Sequence, residues 1–204
     1  DKFLHSGPGY GGSCFPKDTK AIVRIAEENG ADLKVIQAGI DANEAQKEHM
    51  VEKIINKLDD LEVKTIGVLG LSFKPETDDM RESPALTILP VLIEKGAKIR
   101  AYDPEAIKEA TWRLEDYEQD IIYCANEYEV MKGADALVLI TEWNQFRRLD
   151  LERVKDLLAE PVFFDMRNVY EPDEVDKHGI DYVGVGLPQG EVEVAMKEAA
   201  VSEE

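Results

Sequence analysis

Residues 64–103 read KTIGVLGLSFKPETDDMRESPALTILPVLIEKGAKIRAYD. Two short apolar runs, 65–69 and 98–102, flank a stretch with helical periodicity, 84–95. The first run is apolar nearly throughout rather than alternating, the pattern of a strand buried on both faces. A strand, a helix and a second strand of this kind make a parallel unit with a right-handed crossover. The alternation continues downstream. Strand-like runs recur at 121–123, 136–140, 162–165 and 182–185, with helix-like runs at 105–110, 126–131 and 151–158. The expected fold class is α/β, a helical segment followed by a doubly wound, Rossmann-like parallel sheet covered on both faces.

Upstream the pattern is helical. Residues 17–28 carry Ile22, Val23, Ile25 and Ala26 on one face and stop at Gly30. A second helix is expected over 32–58, with Asp32 as its N-cap. Its apolar positions, among them Ile36, Ile40, Met50, Val51, Ile54 and Leu58, cover more than one face, so it should pack against a neighbouring domain or a second copy. The chain divides accordingly: a leading loop and central helices over 1–60, the sheet domain over 61–190, and an acidic tail over 191–204.

Composition narrows the possible functions. Hydrophobic residues are 44% and charged residues 33% of the 204, enough for a packed core. A net charge of −19 opposes nucleic acid and anionic membrane surfaces. An anionic ligand then needs a local cluster of Lys and Arg. The two cysteines and the three histidines, His5, His49 and His178, have no zinc-like spacing, so no metal site is expected. Sparse cysteine fits a reducing cytoplasm. No apolar run is long enough to span a bilayer, and no signal peptide is visible. The sequence starts at Asp1 rather than Met, a few residues before a glycine-rich loop, and reads as cut within a longer protein.

That loop, with the turn after it, is GPGYGGSCFPKD, residues 7–18. Glycines let backbone approach a ligand closely and adopt positive φ. Cys14 follows them, with Lys17 and Asp18 just beyond. A cysteine beside a cation near a helix start meets a thiolate-favouring environment, and thiolate attacks carbonyl carbon. A packed structural thiol is the commoner fate of a free cysteine, and an N-cap is a common role for an Asp so placed. The residues alone leave these readings open. The second motif, GLSFKPETDDMRESPA over 70–85, occupies the first strand-to-helix turn, where doubly wound sheets hold phosphates. It lacks GxGxxG, so a dinucleotide is not expected there. Lys74 and Arg81 supply positive charge, while a solvated polar loop is the alternative. Asp103-Pro104 ends the second strand and reads more readily as a helix cap than as a ribose contact.

GGSCFPKDT and FKPETDDMRESPA resemble the two signatures of the UDP-glucose/GDP-mannose dehydrogenase family, and SCFPKDT resembles its UDP-glucose branch. The resemblance runs from Phe3 to about Val185. It implies oxidation of the C6 alcohol of UDP-glucose to the carboxylate of UDP-glucuronate, with NAD as cofactor. Cys14 would be the nucleophile and Asp18 its catalytic assistant. Phe3, His5, Ser6, Gly7, Pro8, Gly9, Tyr10 and Gly11 would wrap the UDP-sugar, joined by Phe73, Lys74 and Arg167. NAD would reach Cys14, Phe15, Pro16, Lys17 and Arg81, although most of its site, and further catalytic residues, would lie outside this chain. The isolated chain is therefore expected to bind UDP without turning over the sugar. The resemblance also implies a homodimer through the central helices. Thr141-Glu142-Trp143 matches the family too and is read as packing; Cys124 is read as inert.

Overall fold

The computed structural model describes residues 5–187. Phe3 and the 191–204 tail lie outside the described residues. Helices α1 (Phe15–Glu28) and α2 (Lys34–Leu58) lead into β1 (Thr65–Leu69), α3 (Ala85–Glu94) and β2 (Lys98–Tyr102). Then come α4 (Ile107–Arg113), β3 (Ile121–Tyr123), α5 (Glu127–Met131), β4 (Ala136–Leu139), α6 (Leu151–Leu157), β5 (Val162–Asp165), α7 (Pro172–Lys177) and β6 (Asp181–Gly184).

The strands form one six-stranded sheet in the order β3-β2-β1-β4-β5-β6, and every pairing is parallel. This is the expected doubly wound arrangement. Its order reverses between β1 and β4, and the crevice above that reversal is where such sheets take ligands. Successive residues of each strand serve opposite faces. Ile66 and Val68 join Met50, Ile54, Ile88, Leu92 and Val138 on one side. Leu69 joins Val130, Leu137, Leu139, Phe146 and Phe163 on the other. The second half of α2 therefore lies in the domain's own core rather than beside it.

Several boundaries differ from the sequence expectation. Helix α1 begins at Phe15, not 17, because Pro16 stands in the first turn, where its missing N–H costs nothing. Asp18 consequently lies in the first turn and is not a cap. Helix α2 begins at Lys34 after Leu33, without a side-chain cap; Asp32 faces Lys34 at 3.7 Å instead. Helix α7 was not expected: its six residues offer one buried apolar side chain, Val175, too few to show a period. Among the described residues no helix is long and apolar enough to cross a membrane.

Candidate active site

Cys14 occupies the N-cap position of α1 and is exposed. Its Sγ is 3.6 Å from Ser13 Oγ. The backbone N–H of Asp18 donates to the Cys14 carbonyl at 2.8 Å, one helical turn away. Residues four apart lie on the same side of a helix, so Asp18 stands one turn beyond Cys14. It is exposed and sits 3.3 Å from Lys17 Nζ. The Tyr10 and Phe15 rings meet edge-to-face across the loop, with centroids 4.7 Å apart.

The two motifs of the sequence are in contact. Gly12 N–H donates to the Arg81 carbonyl at 2.7 Å. A Cβ on Gly11 would stand 2.4 Å from the Glu82 carbonyl oxygen, and one on Gly12, whose φ is +95°, 2.8 Å from the Phe73 ring. Only glycine allows the cysteine loop to close onto the turn after β1 in this way. Lys74 Nζ lies 5.4 Å from the centroid of its neighbour Phe73, and the Lys74 side chain is exposed.

Arg167, after β5, completes the crevice. Its Nε donates to the Ile140 carbonyl at 2.8 Å, and Nη1 lies 2.9 Å from where a Gly7 Cβ would be. The guanidinium thus reaches back across β4 to the loop that bears Cys14. Burial pushes its pKa down against the opposing pull of Glu142 and Asp165. Glu142 Oε2, 3.1 Å from Nε, is its ion-pair partner. This corrects the reading of Glu142 as packing. Thr141 and Trp143 do serve structure: Thr141 Oγ1 donates to the Ser72 carbonyl and Trp143 Nε1 to Asp103.

Of the cations Lys17, Lys74, Arg81 and Arg167, all but Lys74 are paired with a carboxylate among the described residues. Arg81 forks onto Asp79, which holds that carboxyl below its ordinary range. Lys17 and Arg167 each have a carboxylate alongside. Asp103 is fully buried. One oxygen accepts from Leu71 N, Ser72 N, Ser72 Oγ and Trp143 Nε1; the other accepts from Glu105 N and Ala106 N. Asp103 therefore closes the turn over 103–106 rather than capping α4, whose N-cap is Ala106 without a side-chain bond, so the expected helix cap is corrected. The same bonds consume the N–H groups after β1 that a dinucleotide pyrophosphate would need, so this sheet does not fit an NAD held in the usual way.

Sequence reasoning missed the residues that secure the loop. Asn43 on α2 is buried. Its Oδ1 accepts from Tyr10 N at 2.6 Å, and its Nδ2 donates to the Tyr10 carbonyl at 3.2 Å. Gln46 Nε2 donates to the Gly7 carbonyl at 2.9 Å. Asn168 donates to Ser6 Oγ at 3.0 Å and accepts from Val185 N. Lys53 and Lys57, further along α2, bind the Gly184 carbonyl and Asp181. No feature of the sequence marked these residues, since their burial and their backbone partners appear only in the fold. His5, His49 and His178 are exposed, Cys124 is buried with its thiol pushed up in pKa by that burial, and no metal-holding cluster occurs among the described residues.

Comparison with known proteins gives the same pattern. Residues 67–172 match the UDP binding domain of the UDP-glucose/GDP-mannose dehydrogenase family, and residues 1–45 match its central domain. The UDP-glucose 6-dehydrogenase of Rhizobium meliloti is 45% identical over 189 residues, which cover 92% of this chain and 42% of that protein. The structure of a UDP-glucose dehydrogenase from Pyrobaculum islandicum superposes with a TM-score of 0.76 at 32% identity, covering 89% of this chain and 39% of that one. A UDP-D-ManNAc dehydrogenase from Pyrococcus horikoshii gives 0.69 at 26% identity, covering 88% and 39%. The chain spans about two fifths of the length of the curated relative it matches. With a thiol loop closed onto the switch point of a parallel sheet, and both segments matched in order, the chain belongs to the UDP-glucose/GDP-mannose dehydrogenase family.

Proposed function

We propose that this chain supplies the nucleophile and the UDP-sugar site of an NAD-dependent dehydrogenase that converts UDP-glucose to UDP-glucuronate. The observation that carries this reading is the exposed Cys14 on a loop seated against Phe73 on one side and Arg167 on the other. Phe73, Lys74 and Arg167 would contact the UDP-sugar, with Phe3 and residues 5–11 wrapped around it. Residues 1–60 would serve as loop and dimer helices and 61–190 as the UDP-binding unit. NAD+, when bound, supplies the hydride acceptor; because the turn after β1 is consumed by Asp103, its main site belongs to another part of the protein. Cys14 to Lys17 and Arg81, all but Pro16 exposed, would border it.

The role of Cys14 follows from electron balance. Loss of one hydride and one proton turns the C6 alcohol into an aldehyde. Sγ adds to that carbon to give a thiohemiacetal, so the aldehyde cannot escape. Loss of a second hydride gives a thioester. Water then releases the carboxylate and restores the thiol, with Asp18 as base for the proton. Two NAD+ are reduced in all.

The test is NADH formation by the complete protein supplied with UDP-glucose, and its loss in Cys14→Ser. NADH formation by the 204-residue chain alone would overturn the division of labour. Calorimetry should detect UDP on the isolated chain. A related sugar is the second reading, supported by the UDP-D-ManNAc dehydrogenase neighbour; a higher kcat/KM on UDP-N-acetylmannosamine than on UDP-glucose would select it.

The exposed Val35, Ala38, Gly39, Ala42 and Ala45 on α2 support a homodimer through this helix. Sedimentation of a monomer at micromolar concentration would count against it. A cytoplasmic setting is supported by the two unpaired thiols.

A further inference from the structure

The thiol loop has few internal hydrogen bonds of its own, yet it presents Cys14 at a defined place. Much of its order comes from α2. Asn43 binds both polar backbone atoms of Tyr10, four residues before Cys14, in the manner of a paired strand. Gln46, three residues on and on the same helix face, holds the Gly7 carbonyl. Lys47 closes the row: its side chain is 3% exposed, and Nζ lies 3.1 Å from Glu44 and 4.0 Å from Glu82. Gly9, with φ of +113°, leaves room for this face; a Cβ there would come within 3.0 Å of Asn43 Oδ1 and 3.1 Å of Lys47 Cγ.

We infer that Asn43 is a positioning residue, which sets the distance between Cys14 Sγ and the sugar carbon by fixing the Tyr10 backbone. This rests on the reading of Cys14 as nucleophile. An amide suits the task because it offers one acceptor and one donor at once and keeps both at every working pH. No other side chain of that size matches an N–H and a C=O on the same residue without titrating. Loss of the clamp shifts the loop around the sugar but leaves in place the phosphate contacts proposed for Lys74 and Arg167 on the sheet. The effect therefore falls more on the chemical step than on binding. A displacement of about 1 Å at a reacting atom costs on the order of 100-fold in rate.

The experiment uses the complete protein and the variants Asn43→Ala and Asn43→Asp. Asn43→Ala should lower kcat about 100-fold with KM for UDP-glucose within about threefold. It should also change the rate at which iodoacetamide alkylates Cys14, with Cys124 buried and unreactive. Asn43→Asp supplies the sharper readout. Its protonated carboxyl accepts from Tyr10 N and donates to the Tyr10 carbonyl as the amide does; the ionised form turns a lone pair on that carbonyl. Its kcat should therefore fall as pH rises through the new acid's pKa, a limb that wild type lacks. Among the charged groups nearby, Glu44 accepts from Asn43 Nδ2 at 3.4 Å, Lys47 pairs with Glu44 and reaches Glu82, and Glu82 pairs with Lys20; the wild-type profile controls for them. Unchanged kcat and alkylation in Asn43→Ala overturn the inference. If Asn43→Ala does not fold, a pH profile of Asn43→Asp identical to wild type overturns it equally. Failure of wild type to make NADH, or of UDP-glucose to protect Cys14, is a different result: it removes the reading on which the inference rests.

Discussion

Arg167 Nη1 fills the place of a side chain on Gly7: it lies 2.9 Å from the ideal Cβ position there. Arg167, proposed to hold the nucleotide, and the loop proposed to wrap the sugar are thus fitted to each other through a missing methyl group. Gly7→Ala should push the guanidinium off the Ile140 carbonyl and weaken UDP binding about tenfold, the worth of one charged hydrogen bond. Calorimetry with UDP measures it, and the melting temperature should stay within a few degrees of wild type.

Gly11 faces backbone rather than a movable side chain, so its substitution has nowhere to go. The Glu82 carbonyl oxygen would be 2.4 Å from the new Cβ. Gly11→Ala should cost about 2 kcal/mol through overpacking and lower Tm by roughly 5 °C. Scanning calorimetry reports the loss. Alkylation of Cys14 should no longer be slowed by UDP-glucose, because the loop parts from Phe73.

Removal of the Asp103 carboxylate strands buried donors on Leu71, Ser72 and Trp143 at once. Asp103→Ala should destabilise the domain by about 4 kcal/mol. The urea midpoint is the measurement. Asp103→Asn keeps one acceptor and should fall between the two, with weakened UDP binding because Lys74 rides on the same turn.

Alkaline stability should depend on Tyr170. Its hydroxyl accepts from Leu149 N and donates to the Phe146 carbonyl, and burial pushes its pKa up to about 12. The unfolded chain gives up that proton near the ordinary value of about 10. Between the two values the folded state holds more protons, so stability falls as pH rises. Tyr182 shifts in the same direction, through burial and then the Asp165 charge. Tm followed from pH 9.5 to 11.5 should drop less steeply in Tyr170→Phe than in wild type.

The sheet was legible because its central strands β1, β4 and β5 are buried nearly throughout, which writes them as almost unbroken apolar runs; β2, β3 and β6 are more mixed, yet all six appear within a residue of their expected bounds. Helix ends were less so. Pro16 reads as a break, although a proline in the first turn starts a helix as readily as it stops one. The two motifs drew attention to Cys14, Phe73, Lys74 and Arg81, on segments that the fold brings together, because glycine, cysteine and clustered charge are unusual. Asn43, Gln46 and Asn168 gave no such signal. Their importance lies in which backbone atoms they meet, and a linear string does not record that. Glu142 was misjudged for the same reason: its partner, Arg167, is 25 positions away.

The long helix is gripped at two places. Near its middle Asn43 and Gln46 hold the thiol loop, and toward its end Lys53 and Lys57 hold β6. With a rise of about 1.5 Å per residue, the two grips stand roughly 15–20 Å apart on one stiff rod. A push or twist on its outer side cannot move the sulfur alone. It tilts the thiol loop and the β6 edge of the sheet together, as a lever moves both its ends.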